Sequence, residues 1–146
     1  MRRWATPTRP HAALLLAAAF ALGCADHDQR ARGNFLLHCM GCHGENGEGL
    51  EGHVPNMRTD LARLVTSPGG RAYVLRVPGV TQSTLEPEQL AEVLNYTVRE
   101  FAGKAVARKV EPFTAAEVVA ARARPLLEIT ETRAGIVSDG ATPGGQ

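Results

Sequence analysis

The sequence predicts an all-α fold, and three observations carry that expectation. From Pro87 to Phe101, residues Leu90, Val93, Leu94, Thr97 and Phe101 keep the i, i+3, i+4, i+7 spacing of a helix with one buried face. "PFTAAEVV" contains a capping box, Thr114 with Glu117, flanked by Phe113 and Val118 at the positions of a hydrophobic staple. No stretch of useful length alternates apolar and polar residues with the period of two that a half-buried strand needs. Aromatic residues make up only 5% of the chain, so a large apolar cofactor would supply core that the side chains do not.

In chain order, the first element is an export segment. Arg2, Arg3 and Arg9 precede an apolar run from Ala12 to Leu22 that ends in small residues. This is the pattern of a secretory signal, and it is too short to span a membrane, which takes about 20 residues. "ALGC", Ala21 to Cys24, resembles a bacterial lipoprotein signal in which Cys24 is lipidated and becomes the first residue. Ala21 departs from that pattern, which most often has leucine there. Ordinary cleavage nearby, for instance after Ala25, is the alternative; the lipoprotein is favoured because a lone cysteine there has no other purpose. Acyl chains on Cys24 would tether the protein to a membrane surface without a spanning helix.

The sequence thus divides into a signal over 1–23, one domain over 24–104, and an extension over 105–146. The whole chain has a formal net charge of +1, and losing the three leader arginines makes it slightly negative. No basic patch remains for a nucleic acid, and that class is set aside.

A helix from about Arg30 leads into "HCMGCHG". Residues three apart share a helix face, so Cys39 and Cys42 can both reach one edge of a planar ligand, and His43 stands close to the same face. C-x-x-C-H in an exported chain points to covalent haem attachment: two thioether bonds and one imidazole on iron. A zinc site would need Cys39, Cys42, His43 and a fourth ligand such as His38 or His53. Such sites usually draw a second ligand pair from farther along the chain, and none is present. A redox-active disulfide would need a strand-and-helix context that this chain lacks. Gly44, Gly47, Gly49 and Gly52 follow the motif, where the chain must turn close beside a flat ligand.

Gly33, Phe35, "CMGCHG", Pro55 and the late helix around Leu94 and Tyr96 resemble the small monohaem c-type cytochromes over about residues 30 to 102. The resemblance implies a three-to-four-helix domain around one covalently bound haem c, with the helical extension added. It implies that Gly33 and Phe35 pack the first helix against the last, with Tyr96 as a partner. It implies thioether bonds at Cys39 and Cys42, His43 as the iron ligand, and a Pro55 carbonyl that accepts from the free His43 nitrogen and orients the ring.

The remaining elements are a middle helix over Gly69 to Val77, the helix with Pro87 at its first position, a helix from Ala115 to about Ala123 ended by Pro125, and a short turn over Glu131 to Val137. The tail "SDGATPGGQ" reads as frayed. The extension is expected to wrap its own domain more than to dock a partner, because its apolar residues must be covered.

The sequence departs from the family in one place. The methionine that usually completes iron coordination comes from the loop before the last helix, and Val77 to Leu90 contains none. Met57, His53 or no protein group fills that position. Met57 stands where relatives commonly place a leucine that packs on the haem, and a thioether suits either role. The expected function is single-electron transfer in the periplasm, between a dehydrogenase and an oxidase or another cytochrome, with no catalytic residues. Two alternatives stay open: a small-ligand sensor or minor peroxidase with an open sixth position, and a dedicated subunit of a dehydrogenase complex.

Overall fold

The computed structural model describes residues 26–139, so the expected export segment, Cys24 and residues 140–146 lie outside the described part. Its regular structure is helical, with no strand among the described residues beyond an isolated bridge between Leu50 and Val54. No helix among them is long and apolar enough to cross a membrane.

Helix α1 covers residues 26–38, starting ahead of the expected Arg30. Its first turn carries no apolar signal and is held by charge. Arg30 donates to both carboxylate oxygens of Glu92 at 3.0 and 2.6 Å, and Arg99 pairs with Asp28. Farther along, Ala31, Phe35 and Cys39 recur every fourth residue; Ala31 and Phe35 are fully buried. Phe35 meets Phe101 and Tyr96 with ring centroids 5.2 and 5.8 Å apart, in tilted geometry that suits the ring quadrupoles. The aromatic contact expected between first and last helices is therefore present. The glycine contact is not: a side chain at Gly33 would meet nothing within 4 Å.

After Cys39 the short α2, Met40–His43, continues nearly in line, with the His43 amide bonded to the Cys39 carbonyl at 3.1 Å. The glycine loop then folds back. Gly49, at φ +72°, lies so close to the next segment that a Cβ would sit 2.3 Å from the Val54 carbonyl oxygen. No other residue fits there.

Helix α3, Met57–Thr66, has no counterpart in the sequence-based expectation. Asn56 caps it by accepting from the Arg58 amide at 2.8 Å, and Leu61, Leu64 and Val65 form its buried face. Helix α4, Gly70–Arg76, crosses the end of α3 so tightly that a Gly70 Cβ would overlap the Leu64 carbonyl. Helix α5, Pro78–Thr81, is a single turn.

Helix α6, Pro87–Thr97, matches the expected element, with Pro87 in the first turn and a Glu86–Gln89 capping box. All five residues of its anticipated face are buried. The helix then widens into a π-turn, Val98–Ala102, in which Val98 and Phe101 are buried.

The extension returns over this core. Past α7, Lys104–Ala107, the Asn95 side chain brackets the backbone of Phe113, donating to its carbonyl at 2.9 Å and accepting from its amide at 2.7 Å. Helix α8, Ala115–Arg122, carries the expected capping box, and Phe113, Val118 and Ala121 join the same hydrophobic cluster as Phe35 and Leu90. Arg122 donates to the carbonyls of Ser83 and Leu85. Helix α9, Ile129–Asp139, is longer than the turn expected there and lies against α3 and α4.

Glu117 links capping to packing. It accepts from Arg71 through both oxygens at 2.8 Å and from the Thr114 amide, and Arg71 also lies over the Phe113 ring. The Arg71 bonds hold its carboxyl down at about 2, against an ordinary 4.5. A depressed carboxyl stabilises the fold above its unfolded value, and that contribution is lost as pH falls through the folded one. Glu117→Gln is therefore expected to lower Tm above pH 4.5, with the gap to the native protein closing as pH approaches 2. Thermal melts across that range check the sign.

Candidate functional site: an apolar cavity at the C-x-x-C-H turn

Between α3, α4, α6 and the motif lies a cavity of about 330 Å³. Leu61 and Leu64 of α3 and Leu90, Val93 and Leu94 of α6 line it with hydrocarbon. Val74, Val77 and Val80 close it from the α4–α5 segment, and Ile129 and Arg133 reach it from α9. Cys39, Cys42, His43 and Pro55 all border this space, so the four expected site residues share one cavity. A second concavity, about 450 Å³, lies beside the π-turn and α7; none of its lining residues is a cysteine or histidine.

The two cysteines face different surroundings. Cys42 is exposed, whereas Cys39 is partly covered, and burial, with Cys42 close by, raises its thiol to about 11. Neither is in a disulfide. Burial lowers the pKa of His43, favouring the neutral imidazole that a metal requires. Its Nδ1 is buried and has no hydrogen-bond partner. The bond expected from Pro55 is thus not formed; the Pro55 carbonyl instead packs against Gly49.

These residues suit a covalently held haem. Two unpaired thiols three residues apart stand at the cavity edge, a neutral imidazole is adjacent, and the walls would exclude water. No group of three or more His, Cys, Asp and Glu side chains converges as a metal site among the described residues, so the zinc alternative has no geometry to support it.

Of the remaining ligand candidates, Met57 and His53 both line the cavity. The Met57 amide is bonded to the Gly47 carbonyl at 2.8 Å, and the Gly49 amide to the His43 carbonyl at 2.8 Å. Met57 is thereby tied to the loop that follows His43, and it also packs on the core cluster. His53 is exposed, with Nδ1 3.1 Å from the Glu51 carbonyl oxygen. Sequence reasoning did not find Tyr73, Asp60 and Arg133, which border the cavity from three helices.

No protein-family model matches the chain, and no solved structure matches it significantly. Two curated proteins do, each a cytochrome c-552 of Thermus thermophilus. One is 30% identical over 132 residues, covering 78% of this chain and 86% of the relative. The other is 31% identical over 106 residues, covering 60% and 81%. With that identity sustained over most of both lengths, and a cavity of this chemistry at the motif, the chain belongs to the small c-type cytochromes, electron-transfer proteins, and binds haem c covalently.

Proposed function

We propose that the protein carries single electrons outside the cytoplasm, from a periplasmic dehydrogenase to an oxidase or another cytochrome. The observation that carries this is the C-x-x-C-H turn at the edge of a largely hydrocarbon-lined cavity. Cys39 and Cys42 would hold the porphyrin through thioether bonds, and His43 would ligate iron. His43 Nδ1 is buried without a partner and Pro55 borders the same cavity, so a turn of the Pro55 carbonyl away from Gly49 and toward that nitrogen would fix the ring. Haem iron supplies a one-electron ferrous–ferric couple. The chain's part is to keep that couple dry and rigid: α3 and α6 supply hydrocarbon walls, while exposed Cys42 and half-exposed Met40 put the attachment edge at the surface. The export segment and "LGC" support a location at the membrane surface, anchored by lipid on Cys24. A reversible one-electron titration of the purified protein is expected; a multi-electron or irreversible wave would contradict the carrier role.

The α4–α5 segment favours a second reading. Where relatives usually provide methionine, the cavity is lined by Val74, Val77, Gly79 and Val80, none able to bind iron. With the Met57 side chain engaged in packing on the core cluster, the sixth position would be open to small neutral ligands, as in a sensor. For peroxidase chemistry the histidine available from the loop is His53, which borders the cavity but is exposed. Carbon monoxide added to the reduced protein is expected to shift its visible bands. An unchanged low-spin spectrum would show that Met57 or His53 ligates. A dedicated place in a dehydrogenase complex keeps the same chemistry and would appear as stoichiometric co-purification.

A further inference from the structure

Haem c carries two propionate carboxylates, and a dry cavity must supply partners for any carboxylate it covers. Among the described residues lining this cavity, one side chain bears a permanent positive charge: Arg133, from α9 of the extension. Its Nη2 pairs with Asp60 of α3. Its Nε is buried and has no hydrogen-bond partner. A guanidinium has two bonding edges, so holding Asp60 leaves the Nε edge for a second carboxylate. Tyr73 of α4, 6% exposed, borders the same space. Its hydroxyl is raised by burial, then lowered by Arg133 and raised by Asp60, which places all three groups within electrostatic reach.

We propose that Arg133, held by Asp60 and seconded by the Tyr73 hydroxyl, binds a haem propionate and so makes the C-terminal extension part of the haem site. The proposal rests on covalent haem attachment at the motif and adds a role for α9. The extension is fastened nearby, since the Leu126 amide bonds to the Arg76 carbonyl and Arg76 donates to the Arg124 carbonyl, both from α4. The guanidinium thus reaches the site on a chain segment fastened to α4 through Arg76 and to α3 through Asp60.

The consequence is electrostatic. Reduction removes one positive charge from the iron, so a nearby fixed cation favours the ferrous form and a nearby anion disfavours it. Arg133→Gln leaves Asp60 and the propionate uncompensated. At a fixed poise its ferrous-to-ferric ratio should fall about tenfold, equivalent to about 59 mV for one electron. Arg133→Lys keeps the charge and should move the ratio much less. Asp60→Asn should move it the opposite way. Tyr73→Phe, which removes one hydroxyl and little volume, should shift it slightly in the direction of Arg133→Gln and serves if the arginine variant folds poorly.

The test is a spectroelectrochemical titration of the four haem-loaded variants beside the native protein. An unchanged midpoint in Arg133→Gln with full haem content overturns the clamp while leaving haem attachment intact. Equal shifts in Arg133→Gln and Arg133→Lys also overturn it, because loss of packing alone would then suffice. Colourless native protein overturns both the clamp and the attachment on which it rests.

Discussion

Cys42→Ala protein is expected to lose haem that survives a denaturing gel, and the Cys39→Ala, Cys42→Ala double variant is expected not to fold. The scale follows from the cavity. An apolar void costs about 24 cal/mol per Å³, so leaving about 330 Å³ empty would cost up to roughly 8 kcal/mol. Collapse of the walls would recover part of that, so the figure is an upper bound. It is still comparable to the whole stability of a domain, about 5–15 kcal/mol. With 5% aromatic residues, the chain has little else to fill the space. Haem staining after denaturing electrophoresis, with far-ultraviolet circular dichroism on the same samples, measures both effects. Normal haem content and helicity in the double variant would contradict the assignment of Cys39 and Cys42.

Phe35→Ala is expected to give the largest loss of stability that leaves the attachment chemistry in place. Phe35 is 0% exposed and touches the two other rings that join α1 to the end of α6 and its π-turn. Truncating a buried phenylalanine costs about 3–5 kcal/mol, to which the lost ring pairs contribute. For a domain near 100 residues that corresponds to a fall in Tm of roughly 15–30 °C. Covalently bound haem should remain, so absorbance and Tm separate: full colour with a much lower melting point. Both falling together would mean that Phe35 is needed before attachment. A fall of only a few degrees would contradict its place at the centre of the core.

Local signals in the sequence proved dependable. The α6 face, the Thr114–Glu117 box and the motif each rest on spacings of three or four residues, which a helix converts directly into neighbours. The start of α1 was obscured because Asp26, His27 and Asp28 look like a solvated leader, and only distant Glu92 and Arg99 make that turn hold. Helix α3 had a readable signal, the Asn56 cap followed by Leu61, Leu64 and Val65. Pro55 and Met57 mark the same stretch as a ligand loop, which masks the helix. Gly33 suggested a tight helix crossing, but a glycine's freedom does not require that anything press against it.

Long-range convergence was less legible. Asp60, Tyr73 and Arg133 lie on three helices, and no spacing rule relates them before the chain has folded. The same holds for Asn95, whose side chain completes the hydrogen bonding of the Phe113 backbone from the other end of the domain. The π-turn after α6 left no mark, because Val98 and Phe101 keep ordinary α-helical spacing from Leu94.

The site of haem attachment can be measured directly. Protein matured in a periplasm, denatured in acid, digested with trypsin and analysed by mass spectrometry should yield a single haem-bearing peptide containing Cys39, Cys42 and His43, with one iron per chain. Haem released intact by acid and organic solvent, or zinc in place of iron, would contradict it.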